Sequence, residues 1–191
     1  MTITPTTAIP SRDECLALME AHAMLPHIRE HSLVVAEAAV WVGRALVEAG
    51  CALDLALIEA GALLHDLGKT PCLGTGHNHA EWGYAALATL GLPEVAQIVR
   101  EHVILAAGRK SGPVHETEVV HYADKRVLHV RVVSVAERFQ DLHVRYGRTP
   151  EAVARLDHLR VKTLALEGKL FQPLTVQPHD LLKLNGGRRE P

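Results

Sequence analysis

Apolar and polar residues follow a helical period along most of this chain. Between positions 11 and 171, apolar residues recur at steps of three and four, and no strand-like alternation is longer than a few residues. Capping residues, prolines in first turns and terminal glycines separate the helical segments. We expect helices that begin at Ser11, Pro26, Asp54, Asn78, Pro93, Thr117, Ser134 and Thr149. The first should be about ten residues long. The other seven should end, in the same order, near Gly50, Gly68, Gly91, Leu105, Val127, Gly147 and Leu170.

This pattern predicts an all-α fold, a single compact bundle of about seven to eight helices that spans residues 11–171. Residues 1–10 are expected to form a flexible N-terminus. Residues 172–191 contain Pro173 and Pro178 and end in NGGRREP, so we expect an extended or loose tail there. The sequence therefore predicts one helical domain with irregular ends.

Composition and charge narrow the classes of partner. The formal net charge of -2 gives no electrostatic footprint for nucleic acid or an anionic membrane. The N-terminus lacks the basic and apolar regions of a signal peptide, and no apolar run approaches the roughly 20 residues of a membrane span. The cysteines Cys15, Cys51 and Cys72 are odd in number and show no paired spacing. We expect a reduced, cytoplasmic protein that binds neither nucleic acid nor membrane, and the sequence leaves a homodimer open.

Histidine is abundant, with thirteen residues, and helical spacing identifies those that face the core. His31, for example, shares an apolar stripe with Ile28 and Val35. Applied to each predicted helix, the same spacing turns inward His31, His65, Asp66, His79, His102 and Asp124. His77 competes with His79, because both lie near the same helix start.

Bound metal explains these inward polar groups better than separate buried partners do. One inward histidine is usually satisfied within a core, but an unpaired buried carboxylate costs several kcal/mol. A shared cation would satisfy all the groups together. Imidazoles and carboxylates in this ratio suit Zn, Mn, Fe, Co or Ni rather than Ca or Mg, and they exceed the three protein ligands usual for one catalytic zinc. We therefore expect two divalent transition-metal ions as cofactors.

The adjacent residues His65 and Asp66 pose a geometric problem. Neighbouring residues of a helix point about 100° apart, so the two side chains do not face each other. A metal pair at the helix end could still bind both, with the Asp66 carboxylate as a bridge. Gly68 would release the chain there and let Lys69 lean over the opening, where its ammonium either contacts a substrate or remains a solvated charge at the helix end.

Five segments of the chain resemble the HD superfamily of metal-dependent phosphohydrolases: IREHSLVVAEAA, LLHDLGK, NHAEWGYAAL, IVREHV and HYADKRV. The resemblance covers residues 25–145, which we take as the core of the domain. It implies an all-helical HD domain.

The resemblance also implies a ligand set. Its members hold a metal through a first histidine, the HD pair and a late aspartate, and dinuclear members add two histidines between them. The positions that match are His31, His65, Asp66, His79, His102 and Asp124. Leu67 replaces the isoleucine of the HDIGK motif, and Val103 stands where many relatives have a second consecutive histidine. The absence of a GYP signature argues against cyclic-di-GMP phosphodiesterase activity.

The implied activity is hydrolysis of a phosphate ester or anhydride, expected to be that of a nucleotide, by a metal-activated water. Asp66 and Lys69 are the candidate catalytic residues, and Lys69 and Arg126 are the candidate substrate-binding residues. The substrate would lie between the predicted loops 69–78 and 105–117. Dinucleoside polyphosphates, nucleoside monophosphates and cyclic nucleotides all fit this expectation.

A basic run follows the last predicted ligand and has two interpretations. Lys125, Arg126 and Arg131 could bind further phosphates, or they could be surface charges that pair with acidic neighbours such as Glu137. Three other functions are also compatible with the sequence. They are a dinuclear-iron HD-type oxygenase, a nucleotide-binding regulatory domain without catalysis and a helical interaction domain.

Overall fold

The computed structural model describes residues 8–106 and 112–187, which form a helical domain with one very small sheet. Its α-helices are α1 (Arg12–Ala21), α2 (Pro26–Glu48), α3 (Leu55–Leu64), α4 (Lys69–Cys72), α5 (His79–Thr89), α6 (Pro93–Glu101), α7 (Glu116–Asp124), α8 (Val135–Tyr146) and α9 (Pro150–Phe171). Strands β1 (Val127–Leu128) and β2 (Arg131–Val132) pair antiparallel, and a 3-10 helix covers Pro178–Gly187. The predicted all-α fold is confirmed.

Local capping chemistry sets several of the helix starts. Ser11 and Ser134 each form a capping box with the glutamate three residues later. Asp54 accepts hydrogen bonds from the backbone N–H groups of Ala56 and Leu57 and thereby caps α3. Because each cap involves only a few consecutive residues, these starts were readable from the sequence.

Several boundaries differ from the predictions. Thr117 does not cap a helix, because α7 begins at Glu116 with His115 in the N-cap position. The predicted loop 69–78 begins with the short helix α4. The predicted loop 105–117 lies partly outside the described residues, so its structure is known only at its two ends.

Close approaches around α3 define the centre of the domain. This helix packs against α1, α2, α6 and α7. A Cβ atom on Gly61 would lie 2.7 Å from Cγ2 of Ile98, so the glycine lets α3 and α6 approach closely. A Cβ atom on Gly68 would lie only 2.2 Å from the carbonyl oxygen of His79. The segment after α3 is therefore held directly against the start of α5.

The C-terminal segment is not the extended or loose tail that was predicted. Residues 178–187 form a 3-10 helix, and the side chain of Leu181 is fully buried in the core. The side-chain amide of Asn185 accepts a hydrogen bond from the backbone N–H of Val132 and donates one to its carbonyl oxygen. These contacts anchor the segment to β2. Because Asn185 and Val132 are far apart in sequence, local sequence patterns do not reveal their contact.

Arg126 was predicted to bind substrate, but it faces this C-terminal segment instead of a substrate cleft. Its guanidinium donates hydrogen bonds to the carbonyl oxygens of Val133 and Pro178, to the hydroxyl of Tyr122 and to the carboxylate of Glu167. The residue is only 2% exposed. Every part of the guanidinium is thus engaged in internal contacts, and Arg126 is a structural residue that cannot reach a substrate as predicted.

The remaining general expectations concern cysteines, membranes and the N-terminus. The three cysteines are unpaired, and burial raises the pKa of Cys15 to about 12, so this thiol stays protonated. Along the described ranges, none of the helices has the length and apolarity needed to cross a bilayer. The flexible N-terminus predicted for residues 1–10 lies outside the described residues up to position 7, while Pro10 is buried.

Candidate metal centre

The structure brings the predicted ligands together at the centre of the helical domain. Their ligand atoms form two neighbouring groups, within each of which all atoms lie within 4.8 Å of one another. The first group consists of His31, His65 and Asp124, and the second consists of Asp66, His79 and His102. Residues far apart in sequence therefore meet because α2, α3, α5, α6 and α7 converge here.

The first group consists of three buried residues. Nε2 of His31, on α2, lies 3.2 Å from Oδ1 of Asp124, the last residue of α7. Nε2 of His65, just after α3, lies 3.7 Å from the same oxygen. All three residues are buried, so a cation at this position would be shielded from bulk solvent.

The second group is more accessible. Nε2 of His79, at the start of α5, lies 3.2 Å from Nε2 of His102, just after α6. These two nitrogens lie 3.5 and 3.6 Å from Oδ1 of Asp66. The side chain of His79 is 28% exposed, whereas those of His102 and Asp66 are 2% exposed. The second group therefore reaches solvent through His79.

Asp66 has one carboxylate oxygen toward each group. Its Oδ1 faces His79 and His102, as described above, and its Oδ2 lies 3.4 Å from Nε2 of His65 in the first group. The turn that follows α3 accounts for this position, since His65 ends the helix and the chain then bends toward α4. Ions held by the two groups would therefore share Asp66.

Backbone carbonyl groups orient three of the imidazoles for metal binding. Nδ1 of His65 donates to the carbonyl oxygen of Ala62 at 2.7 Å, and Nδ1 of His102 donates to that of Val99 at 2.6 Å. Nδ1 of His31 contacts the carbonyl oxygen of His129 at 2.9 Å. Because the carbonyl groups require the proton on Nδ1, each Nε2 points into the cluster.

One atom of the cluster is a candidate for cation binding. Nε2 of His65 is buried and has no hydrogen-bond partner among the described residues. An orphaned buried nitrogen is rare in a folded protein and calls for a ligand. Imidazole nitrogens and carboxylate oxygens in this arrangement fit divalent transition metals.

The ionisation states are mostly those that a metal requires. Burial raises the pKa of Asp66 and Asp124, but the charge of His65 near Asp66 and of Lys125 near Asp124 lowers both well below the usual value. Burial lowers the pKa of His79 to about 4 and also lowers that of His102. The second group is therefore an ionised carboxylate with two neutral imidazoles at neutral pH.

His65 differs from the other imidazoles. Burial lowers the pKa of His65, but the negative charge of the Asp66 carboxylate and neighbouring groups more than offsets this. The net shift of the His65 pKa is therefore upward. A metal that binds the first group must therefore displace a proton from His65 more often than from His79 or His102.

Two lysines contact the carboxylates, and only one was predicted. Nζ of Lys69 lies 2.8 Å from Oδ2 of Asp66, the oxygen that also faces His65, and its side chain is 41% exposed. Nζ of Lys125 lies 2.6 Å from Oδ2 of Asp124, and its side chain is 5% exposed. The interpretation of Lys125 as a surface charge was therefore wrong.

His121 was also missed by the sequence reasoning. It is buried on α7, and its Nδ1 donates to the carbonyl oxygen of His102 at 2.9 Å. Burial lowers its pKa to about 3, so the imidazole is neutral. Its position three residues before Asp124 was the available signal, because residues at that spacing share a helix face. His77, the competitor of His79, is exposed and outside the cluster.

Comparison with known proteins agrees with this geometry. A family model described as HD domain matches residues 28–142, more than half of the chain and all of the clustered ligands. The chain belongs to the HD domain family. HD domains bind divalent metals and are generally metal-dependent hydrolases of the phosphohydrolase superfamily, so the resemblance seen in the sequence is confirmed.

One relative of this HD domain protein comes from an archaeon. The chain is 24% identical to the uncharacterized protein MJ0778 of Methanocaldococcus jannaschii over 143 residues, which cover 68% of this chain and 83% of that protein. No solved structure matches the chain. The relative therefore supports the family and adds no substrate.

Proposed function

We propose that this HD domain protein is a phosphohydrolase that holds two divalent transition-metal ions and hydrolyses a phosphate ester or anhydride of a nucleotide. The observation that carries the proposal is the position of Asp66. Its two oxygens face separate groups of ligands. One group offers the imidazoles of His79 and His102, and the other offers two imidazoles together with the carboxylate of Asp124. A bridged pair of ions is the arrangement in which metal sites commonly stabilise both oxygens of a phosphoryl displacement.

The residues present fit such a pair. His31, His65 and Asp124 would hold one ion, and His79, His102 and Asp66 would hold the other, with Asp66 shared. Bound there, the ions would supply Lewis acidity toward phosphoryl oxygens and lower the pKa of a coordinated water. The nucleotide class follows from the family resemblance.

Lys69 supports the choice of phosphate as the group that reacts. Burial opposes its charge, but the Asp66 carboxylate raises its pKa, so the ammonium is charged at neutral pH. Its side chain is 41% exposed, so the ammonium beside Asp66 is within reach of solvent. A fixed cation at the edge of the site can neutralise charge on phosphoryl oxygens, which is the larger part of catalysis in phosphoryl transfer.

The test begins with metal-free protein that is reloaded separately with Mn, Fe, Co, Ni or Zn. Elemental analysis is expected to give two ions per chain. Release of phosphate or nucleotide is then measured with generic phosphate esters, nucleoside monophosphates, cyclic nucleotides and dinucleoside polyphosphates. We expect metal-dependent hydrolysis of at least one class. Lys69→Met should lower kcat for that substrate while the metal content stays unchanged.

Two results would contradict the proposal. Metal-replete protein, free of bound product, that hydrolyses none of the panel would exclude the hydrolase. A visible absorption band after air exposure of the reduced iron form, together with oxygen consumption, would indicate an oxygenase on the same ligands.

A further inference from the structure

Lys125 is a buried lysine that contacts both ligand groups. It directly follows Asp124 at the end of α7, and Nζ lies 2.6 Å from Oδ2 of that aspartate. The same Nζ donates a hydrogen bond to the carbonyl oxygen of His102 at 3.1 Å. A single ammonium therefore joins a side chain of the first group to the backbone of the second.

The contact with Asp124 determines which carboxylate oxygen faces the first group. Lys125 occupies Oδ2, and Oδ1 is left 3.2 Å from Nε2 of His31 and 3.7 Å from Nε2 of His65. A charge-assisted hydrogen bond is short and directional, so it limits rotation of the carboxylate. Asp124 is thus held to offer Oδ1 to the first group.

The contact with His102 acts on the second group through the backbone. His102 directly follows α6, where the last carbonyl groups of a helix lack intrahelical partners. Its carbonyl oxygen accepts from Lys125 and from Nδ1 of His121, both carried by the same stretch of chain. The His102 imidazole is tied in turn to Val99. The end of α7 therefore holds the backbone that carries a ligand of the second group.

Satisfying a carbonyl group at the end of α6 does not by itself require a charged side chain. Burying a charge is costly, and replacing a buried ion pair by apolar residues of similar volume is often neutral or stabilising. We infer that Lys125 is a positioning residue that sets the separation of the two ligand groups, so that two ions bind at one fixed distance. This inference rests on one part of the proposed function, namely that both groups hold a metal ion. It does not depend on which reaction the protein catalyses.

The experiment compares Lys125→Met, which removes the charge at similar length, with Lys125→Gln, which keeps an N–H donor. Lys162→Met, an exposed lysine on α9, is the matched control. Metal-free proteins are titrated with Mn²⁺ by calorimetry, and magnetic coupling between the ions is recorded by electron paramagnetic resonance. Wild type and Lys162→Met are expected to bind two ions with a coupled spectrum.

For Lys125→Met we expect both ions to bind about 10- to 100-fold more weakly, the range found when groups that orient metal ligands are removed. The coupled spectrum should shift or disappear, and Lys125→Gln should lie between Lys125→Met and wild type. A purely structural lysine would change stability without changing the coupling at full occupancy.

Several outcomes would overturn the inference. One is that Lys125→Met keeps the wild-type metal affinity and coupling, and another is that the affinity for only one of the two ions falls. A third is that neither Lys125 variant reaches the wild-type circular dichroism spectrum, which would make the lysine structural. Wild type that binds fewer than two ions would overturn both proposals. Wild type that binds two coupled ions but hydrolyses no phosphate would remove the proposed function alone.

Discussion

The two ligand groups use the same kinds of side chain but differ in their access to solvent. His31, His65 and Asp124 are all buried, whereas His79 in the second group has a side chain that is 28% exposed. The difference arises from the elements that carry them. His65 and Asp124 lie at helix ends deep in the bundle, while His79 opens α5 directly after a segment rich in exposed residues. A ligand group at such an edge is the one that a substrate can approach.

Asp66 belongs to both sides of this comparison, because it contacts residues of both groups. We predict that Asp66→Ala loses both ions and lowers kcat/KM by a factor on the order of 10³ or more, since the metals supply several kcal/mol of transition-state stabilisation. Elemental analysis and steady-state kinetics measure the two effects.

Glu94→Ala removes an exposed carboxylate from α6 and should leave both measurements unchanged. If Asp66→Ala retains two ions, Asp66 does not bridge the groups.

Gly68 tests whether the second group depends on close packing. We predict that Gly68→Ala lowers the free energy of unfolding by roughly 1–3 kcal/mol, as overpacking of a tight site does. The new Cβ would lie 2.2 Å from the carbonyl oxygen of His79, so the start of α5 must shift and carry that ligand with it. Urea denaturation gives the stability change, and Mn²⁺ titration should show a larger loss in the second group than in the first.

Gly168→Ala is the matched control, because a Cβ atom there has no neighbour within 4 Å. On α9 it should be neutral or stabilise by up to about 1 kcal/mol through helix propensity. Equal stability changes in the two variants would show that the contact at Gly68 is not limiting.

The smallest expected effect concerns protons. The pKa of His65 is raised, so below that pKa the first group binds a proton that the metal must displace, and its metal affinity falls as pH falls. The pKa of His79 is about 4, so it is neutral throughout the range from pH 6 to 8. We predict that His79→Ala, which leaves the first group intact, shows up to about a tenfold loss of affinity per pH unit below the pKa of His65.

His31→Ala leaves the second group intact and should show a flatter dependence over the same range. Calorimetry in buffers of different ionisation enthalpy counts the protons released. Equal proton release by the two variants would contradict the assignment of the raised pKa to His65.

Some parts of this molecule could be predicted from local sequence. The capping boxes at Ser11 and Ser134 involve residues three positions apart, so their geometry is determined within one helical turn. The ligands on the helices were identifiable because an inward polar residue interrupts an apolar stripe of helical period. Asp124 was found in this way, although α7 ends there and not at Val127 as predicted.

Other parts could not be predicted because they depend on distant contacts. Lys125 and Arg126 follow each other in sequence, yet one contacts the predicted metal ligand Asp124 and the other contacts Glu167 on α9. No local pattern distinguishes two consecutive basic residues that turn to opposite partners. The hairpin β1–β2, with two residues in each strand, is likewise too short to produce a readable alternation.

The sequence by itself determined the helical class, most helix starts and the six residues that can bind metal, because these follow from spacing along a helix. Only the tertiary structure decided how those residues divide into a buried and an accessible group, and that Asp66 lies between them. It also decided that Lys125 is buried beside the ligands while Arg126 anchors the C-terminal segment. The physical reason is that spacing sets which way a side chain points, whereas its partners and its exposure are set by which other helices pack there.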